Sequence, residues 1–425
     1  MKKNTLWNSF PILLLAVIVV VPLFWITFHQ PSRQISLVEA RYLTNFPAPD
    51  YRSIKTGVKR ILQRKPGEAL TFILGQYLDR SYQKKFEGAA SDQFPLRLPL
   101  IQTARALDRS MIELAYSPLP DPAIPAAMNS GIYIMRDGSR LIAGPNKFDE
   151  NRLAYIDNHL ENLNDLILDH PELNFYLFYL QRLVDSPFHP LNQFFPNADK
   201  GQQFAYFLAN RPVGLTLSSL TFSTFKDLLD SYFKTDHHWN IFGIQKAYKE
   251  IYKMLKTNYP DLSPALDLSK VQTVPGIEFL GSYARETLYP IPREQFEIAQ
   301  VNLPPLDQTI KGETKPYNMG PGGPRGDLPK AKFADIYSYL YEVSQELVEF
   351  DNKNGPTRNL LILGSSYARP LIPLIASHYK HTYYVDLREF TDFSFSKFVA
   401  SHPVDDVLIV ANDFMLYRDD WLIKP

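Results

Sequence analysis

The sequence predicts an α/β fold, a parallel sheet flanked by helices, and two observations carry that prediction. Leu360–Leu363 and Val407–Val410 are short apolar runs, the signature of strands buried on both faces. Helical stretches separate the strand candidates, as Pro370–Tyr379 separates Leu360–Leu363 from Tyr383–Leu387. Such alternation builds a parallel sheet. A third observation bears on function. Ligands bind at the carboxyl ends of parallel strands, and the run Leu360–Leu363 breaks there into Gly364-Ser365-Ser366-Tyr367.

The elements follow in chain order. Lys2 and Lys3 precede an uncharged apolar run from Ile12 to Phe28, just long enough to span a bilayer. The lysines predict the N-terminus inside and the rest of the chain outside. A cleaved signal peptide competes with this reading, but Trp25 to Gln30 lack the small-x-small pattern that cleavage needs. Pro22 is tolerable in a membrane helix. Residues 1–30 are therefore expected to be a transmembrane anchor, and 31–130 a stalk and helical region. Within it, residues 56–112 carry helical periodicity and 113–130 read as a loop rich in proline and alanine.

From Gly131 to the C-terminus strands and helices alternate, which defines the main domain, 131–425. Ile132–Met135 leads into Asp137-Gly138 as a strand entering a hairpin. Asn151–Leu168 is a helix, Asn174–Leu180 an aromatic strand, Phe222–Leu229 a helix and Ile241–Leu255 another. Segment 303–330, with its Gly-Pro cluster, reads as a long loop, either mobile or functional.

Composition removes several function classes. The 425 residues include 45 basic and 45 acidic side chains, so no global field attracts nucleic acid or anionic lipid. There is no cysteine, which excludes thiol catalysis, cysteine-ligated zinc and disulfides.

The chemistry concentrates in two stretches. Thr235-Asp236-His237-His238-Trp239 supplies a carboxylate and an imidazole two residues apart. In an extended segment Asp236 and His238 point the same way, so the carboxylate can orient the imidazole, while His237 points away. Ser366 follows a buried strand and precedes a helix whose N–H groups can stabilise an oxyanion. The three together are a nucleophile, its base and the base's orienter. Each has a plain alternative: an N-cap serine, a loop Asp-His pair or a metal site. Adjacent histidines diverge on an extended chain, which makes His237 and His238 a poor chelate, and no metal is expected. Trp239 is placed to wall the site. Asn412, after Val407–Val410, is either an oxyanion donor or a turn-capping side chain. Arg285 is either a ligand for an acidic sugar or half of a surface ion pair. Asp92 and Arg97 read as a structural pair.

These residues resemble a known family. Thr235-Asp236-His237-His238-Trp239, with Gly243 four residues on, resembles the motif of the DHHW family of bacterial envelope proteins. These are similar to the AlgJ/AlgX-type alginate O-acetylation proteins. Ser36-Leu37-Val38-Glu39-Ala40-Arg41-Tyr42-Leu43, Asp92-Gln93-Phe94-Pro95-Leu96-Arg97, Gly281-Ser282-Tyr283 and Asp386-Leu387-Arg388 resemble further elements of it, in the family's order. The resemblance implies an SGNH-hydrolase-like domain in circularly permuted order, with the Asp-x-His element ahead of the serine. It implies Ser366 as nucleophile, His238 as base and Asp236 as orienter. Ser365, Tyr367, Tyr283 and Asn412 would surround the oxyanion and substrate. One departure is Gly364-Ser365-Ser366 where the family has Gly-Asp-Ser. The missing aspartate is not the triad carboxylate, and a Gly-Ser-Ser block resembles that of DltD-type proteins linked to D-alanylation.

The implied function is O-acyl transfer, acetyl in the first instance, to an envelope or secreted polysaccharide. The acyl group would come through a membrane-bound O-acyltransferase (MBOAT-type) partner, with no cofactor and no nucleic acid involved. The protein would sit in the cell membrane with its catalytic domain outside. Two other readings stay open: a carbohydrate acetyl-esterase with the same triad, and a non-catalytic polysaccharide-binding scaffold.

Overall fold

The computed structural model describes residues 35–36, 39, 41–46, 81–94, 96–317, 336–341, 345–418 and 423–424. The chain divides into two units, residues 1–108 and 109–425. The expected anchor lies outside the described residues, and among the described residues no helix is long and apolar enough to cross a membrane.

In the first unit, β1 (Ile35–Ser36) pairs antiparallel with β2 (Arg41–Tyr42). Helix α1 spans Ser81–Gln93, and α2 (Arg97–Tyr116) starts in this unit. Two of the family-like motifs meet here. The Arg97 guanidinium takes Glu39 in a fork, Nη1–Oε2 2.5 Å and Nη2–Oε1 2.9 Å, the strong geometry for an Arg–carboxylate pair. Asp92 stands 3.8 Å from Arg97 Nε and also accepts from the Thr44 N–H. These side chains hold the segment together.

The division between the units falls inside α2, so residues 109–130 go with the second unit. Residues 113–130 were expected to be loop, but α2 runs to Tyr116 and β3 (Ala123–Pro125) pairs with β4 (Ile132–Met135). β4 turns through Gly138 into β5 (Leu141–Ala143), the hairpin read from Asp137-Gly138. Next come α3 (Asn151–Asp169), β6 (Asn174–Leu180), α4 (Gln202–Asn210), β7 (Leu215–Leu220), α5 (Phe225–Asp230) and α6 (Ile241–Asn258). β8 (Val271–Phe279), α7 (Ser282–Thr287) and β9 (Glu294–Ala299) follow, with β8 and β9 paired antiparallel around a bulge. β10 (Leu306–Ile310) and β11 (Glu313–Pro316) then form a hairpin. The last elements are α8 (Ile336–Leu340), β12 (Leu347–Asn352), β13 (Asn359–Gly364), α9 (Ile372–Ala376), β14 (His381–Val385), α10 (Phe395–Ser401), β15 (Asp406–Ala411) and α11 (Asp413–Leu416).

Eight strands form the main sheet in the order β11-β10-β12-β14-β13-β15-β6-β7. From β14 to β7 every pairing is parallel, while β12, β10 and β11 extend one edge antiparallel. The predicted long loop at 303–330 is thus corrected in its first half. Residues 306–316 are sheet, and Gly312 at φ 78° makes their turn. The Gly-Pro cluster, Gly320–Gly326, on which the loop expectation rests, lies outside the described residues.

The alternation of the pleat sorts the apolar runs. Leu360 and Ile362 of β13, with Leu408 and Val410 of β15, pack on one face against α6 and α9. Leu361 and Leu363, with Val407 and Ile409, pack on the other face against α3 and α4. Both faces being covered, every residue of β13 and β15 is buried, hence the unbroken apolar runs. On α6 the buried residues Ile244, Ala247, Tyr248, Ile251 and Leu255 recur at helical spacing. Each large one contributes roughly 1.5–3 kcal/mol by leaving water. The helix expected from Pro370 to Tyr379 is shorter. A 3-10 turn, Arg369–Leu371, precedes α9, because Pro370 and Pro373 suit helix starts and not interiors.

Candidate active site

Strand β13 delivers the serine. Gly364 closes the strand where the chain doubles back, and a Cβ on it would lie 2.7 Å from the Ala368 Cβ. The Ala368 N–H then donates to the Ser365 carbonyl at 2.9 Å, closing the turn that carries Ser366. Two tyrosines pin this turn. Tyr384, on the neighbouring strand β14, donates its hydroxyl to the carbonyls of Gly364 at 2.9 Å and Ser365 at 3.1 Å. The Tyr337 hydroxyl donates to the Ser366 carbonyl at 3.1 Å.

The Asp-His segment lies between α5 and α6. The Phe233 N–H donates to the His238 carbonyl, and Asn240 caps α6 by accepting from the N–H groups of Phe242 and Gly243. Such a cap is worth about 1 kcal/mol and stops the loop directly after Trp239. The expected extended geometry is corrected. The Asp236 Oδ1 accepts from the His238 backbone N–H at 2.9 Å, which curls the segment into a turn. The same oxygen accepts from His238 Nδ1 at 2.7 Å, and His238 Nε2 meets Ser366 Oγ at 2.9 Å. With Nδ1–H on the carboxylate, Nε2 is the acceptor for the serine proton. Because of the turn His237 does not point away. Its ring lies 3.9 Å from that of His238, and its Nδ1 meets Ser282 Oγ at 2.9 Å.

The Gly281-Ser282-Tyr283 segment supports the carboxylate. The Ser282 N–H donates to Asp236 Oδ2 at 2.5 Å, and the Gly281 N–H to Thr235 Oγ1 at 2.9 Å. A Cβ on Gly281 would lie 2.4 Å from the Asp236 Cβ, so only glycine allows this approach. Glu294 of β9 accepts from the N–H groups of Lys234 at 2.8 Å and Thr235 at 2.9 Å. Burial pushes the Asp236 carboxyl up. The imidazoles of His237 and His238, with the hydrogen bonds from His238 and Ser282, outweigh this and hold it well below the usual carboxylate range.

The serine opens into a cavity of about 430 Å³. Of the predicted residues, Asp236, Tyr283, Ser365, Ser366, Tyr367 and Asn412 line it. Asn412, at the tip of β15, makes no side-chain cap to α11, so the capping alternative fails. Tyr367 donates its hydroxyl to the His237 carbonyl at 2.8 Å. Two expectations are corrected. Trp239 does not wall the cavity; it is fully buried and meets Tyr367 edge-on at 6.0 Å. Arg285 follows Tyr283 on α7 and is not among the lining residues.

Several site residues went unread in the sequence. Tyr337 stacks on the His238 ring at 3.9 Å and 15°. Arg182, Arg140 and Arg388 also line the cavity. Arg182 follows the aromatic strand β6 and pairs with Asp185 at 2.6 Å. Its position past a strand end was a usable signal. Nothing local marks Tyr337.

Asp236, His237 and His238 carry ligand atoms within 4.8 Å of one another. Both His238 nitrogens are engaged, one by Asp236 and one by Ser366, so this cluster suits proton transfer better than coordination.

No family model and no curated protein matches the sequence. Solved structures do match. The structure of Bacillus cereus PatB1 with a sulfonyl adduct is 19% identical, covering 70% of this chain and 100% of that one with a TM-score of 0.56. A DHHW family protein from Eubacterium siraeum is 17% identical, covering 69% of this chain and 95% of that one with a TM-score of 0.53. The chain is similar to the DHHW family. The O-acetyltransferase domain of Pseudomonas putida AlgJ also matches, at 10% identity over 68% of this chain and 93% of that one, with a TM-score of 0.38. At these identities the DHHW-like likeness is one of fold: a mixed α/β domain around a mostly parallel sheet flanked by helices.

Proposed function

We propose that this chain is a serine-dependent O-acyltransferase, transferring acetyl to a polysaccharide outside the cell membrane. The observation that carries the reading is the unbroken chain from Ser366 Oγ through His238 to Asp236, at 2.9 and 2.7 Å. The proposed domain is SGNH-hydrolase-like and circularly permuted. Its support is that Asp236 and His238 precede Ser366 by more than a hundred residues, with β6 and β7 formed before β13.

In the first half-reaction His238 Nε2 takes the Ser366 hydroxyl proton as Oγ bonds the acyl carbon. Asp236 keeps the imidazole oriented and stabilises its charged form. The donor's leaving group departs with the proton from His238, leaving a Ser366 ester. In the second, a sugar hydroxyl gives its proton to His238 and bonds the acyl carbon, and Ser366 Oγ departs and regains the proton. Backbone N–H groups at the Ser366 turn and the Asn412 amide are the proposed oxyanion donors. Arg182 and Arg388 also line the cavity, each paired with a buried carboxylate, Asp185 and Asp386, and are the proposed N–H donors to the sugar. Ahead of the domain, Ile12–Phe28 is the proposed anchor, and an MBOAT-type membrane protein the proposed donor.

The test is the intact mass of the purified chain after exposure to an activated acetyl ester, beside Ser366→Ala. The expected result is one added acetyl group, absent in the variant, that leaves on adding an oligosaccharide acceptor and appears on it. An acetyl released only as free acetate would replace transfer by esterase activity. No adduct and no acetate would remove the catalytic reading.

A further inference from the structure

Behind the Arg182 side of the cavity lie three aspartates that the acyl-transfer chemistry does not use. Asp185, Asp199 and Asp413 are each fully buried, and one carboxylate oxygen from each lies within 4.8 Å of the other two. They come from three separate places: the turn after β6, the turn before α4, and the first residue of α11 after β15.

Their partners do not neutralise them. Asp185 accepts from Asn146 Nδ2 at 2.5 Å and from Arg182 Nε at 2.6 Å. Asp199 accepts from the N–H groups of Gly201 at 3.2 Å and Gln203 at 3.1 Å. Asp413 accepts from the Tyr179 hydroxyl at 2.8 Å through Oδ2, while its Oδ1 is buried with no hydrogen-bond partner. Each carboxylate offers roughly four lone-pair sites, so acceptor capacity is left over on all three. One guanidinium against three carboxylates leaves this water-excluded place short of positive charge, an arrangement costing several kcal/mol unless protons or a cation supply it. A separate observation points the same way. Gln203, fully buried, lies with its side chain against Asp199, and its amide oxygen has no hydrogen-bond partner.

We propose that Asp185, Asp199 and Asp413 bind one divalent cation, with the Gln203 amide oxygen as a further ligand. The donors are all oxygen, which selects a hard ion, calcium or magnesium, over zinc or copper. The place of the site gives it a purpose. Asp185 holds Arg182, and Asp413 follows Asn412; both Arg182 and Asn412 line the cavity at Ser366. The cation therefore ties together the carboxyl ends of β6 and β15 and sets two lining side chains without touching the reacting atoms.

The test is metal content and thermal unfolding of the full chain, purified in detergent. The protein is stripped with a chelator, then titrated with calcium chloride or magnesium chloride. The expected result is one cation per chain and a rise in Tm of about 3 °C or more at saturation. Asp199→Asn and Gln203→Leu, neighbouring members of the donor set, should fold and lose at least ten-fold in cation affinity. Calcium binding with no magnesium response assigns a seven- or eight-coordinate site; the reverse assigns an octahedral one. Unchanged Tm and no bound cation in the native chain at neutral pH would overturn the proposal, as would equal binding by both variants. Shared protons would then neutralise the cluster, and Asp413→Asn would raise Tm without any metal. None of these readouts depends on acyl transfer.

Discussion

The Tyr337 ring lies flat on the His238 imidazole, 3.9 Å between centroids and 15° from parallel, while its hydroxyl holds the Ser366 carbonyl. One side chain thereby fixes the plane of the base and the backbone of the nucleophile. Burial raises the Tyr337 hydroxyl pKa well above its usual value, so it stays a donor at all working pH.

Replacing Tyr337 separates these two roles. Tyr337→Phe keeps the stack and loses one hydrogen bond of about 1 kcal/mol, roughly a five-fold loss in kcat/KM. Tyr337→Ala loses both and should cost about a hundred-fold, since a 1 Å misplacement of a catalytic group can do so. Rates with an activated acetyl ester check this. Equal rates for the two variants would show that the ring does not position His238.

Asp236→Asn should reduce kcat by about 10³–10⁴-fold, because the amide no longer selects the tautomer that leaves Nε2 free for the serine. The Asp236 carboxyl is held well below the usual carboxylate range, so it stays charged through the mildly acid region. Its loss should therefore lower the plateau of the pH–rate profile. A rate within ten-fold of the parent would remove Asp236 from the triad.

Gly281→Ala tests the support behind the carboxylate. The added methyl meets the Asp236 Cβ and the Thr235 carbonyl oxygen, each 2.4 Å away, and must displace one of them. Overpacking of this kind costs about 1–3 kcal/mol in stability. The expected signature is a rate loss larger than that, with the Ser282-to-Asp236 bond broken. Rates and urea midpoints measured together distinguish it from simple destabilisation.

Stability should fall on mild acidification. His378 is buried between the Tyr248 hydroxyl on Nε2 at 2.8 Å and Ser263 Oγ on Nδ1 at 2.6 Å. Burial lowers its pKa to about 4 from 6.5. The unfolded chain then binds the proton first, so this contribution is complete above pH 6.5 and is lost as pH falls toward 4. The slope is about 1 kcal/mol per pH unit below pH 6. His189 is lowered to about 4 for the same reason and adds to it. Urea midpoints at pH 7, 6 and 5 measure the slope, and His378→Gln should reduce it by about half, His189 supplying the rest. An unchanged slope in that variant would assign the acid sensitivity elsewhere.

Much of the frame is written locally. The aromatic strand Asn174–Leu180 has the bounds read from its composition, and β13 and β15 extend their apolar runs by a residue or two. A strand buried on both faces must be apolar throughout, so its pattern survives without knowing its neighbours. Asp236, His238 and Ser366 were less sharply marked. Taken alone each had a plain alternative, a loop Asp-His pair or an N-cap serine, and the likeness to the DHHW motif and its companions singled them out.

The tertiary structure decided the rest, where the deciding contact is distant in sequence. The Ser366–His238 bond joins residues 128 apart. The turn at Asp236 reverses the orientation of His237 that an extended chain dictates, because the His238 backbone N–H is available to the carboxylate. Trp239, a natural cavity wall by composition, went into the core, where its large apolar surface is worth more out of water. Tyr337, Glu294 and the aspartate cluster carry no local signature at all. Periodicity reports whether a residue is buried, but which side chains share a site is set by how strands from opposite ends of the chain become neighbours in one sheet.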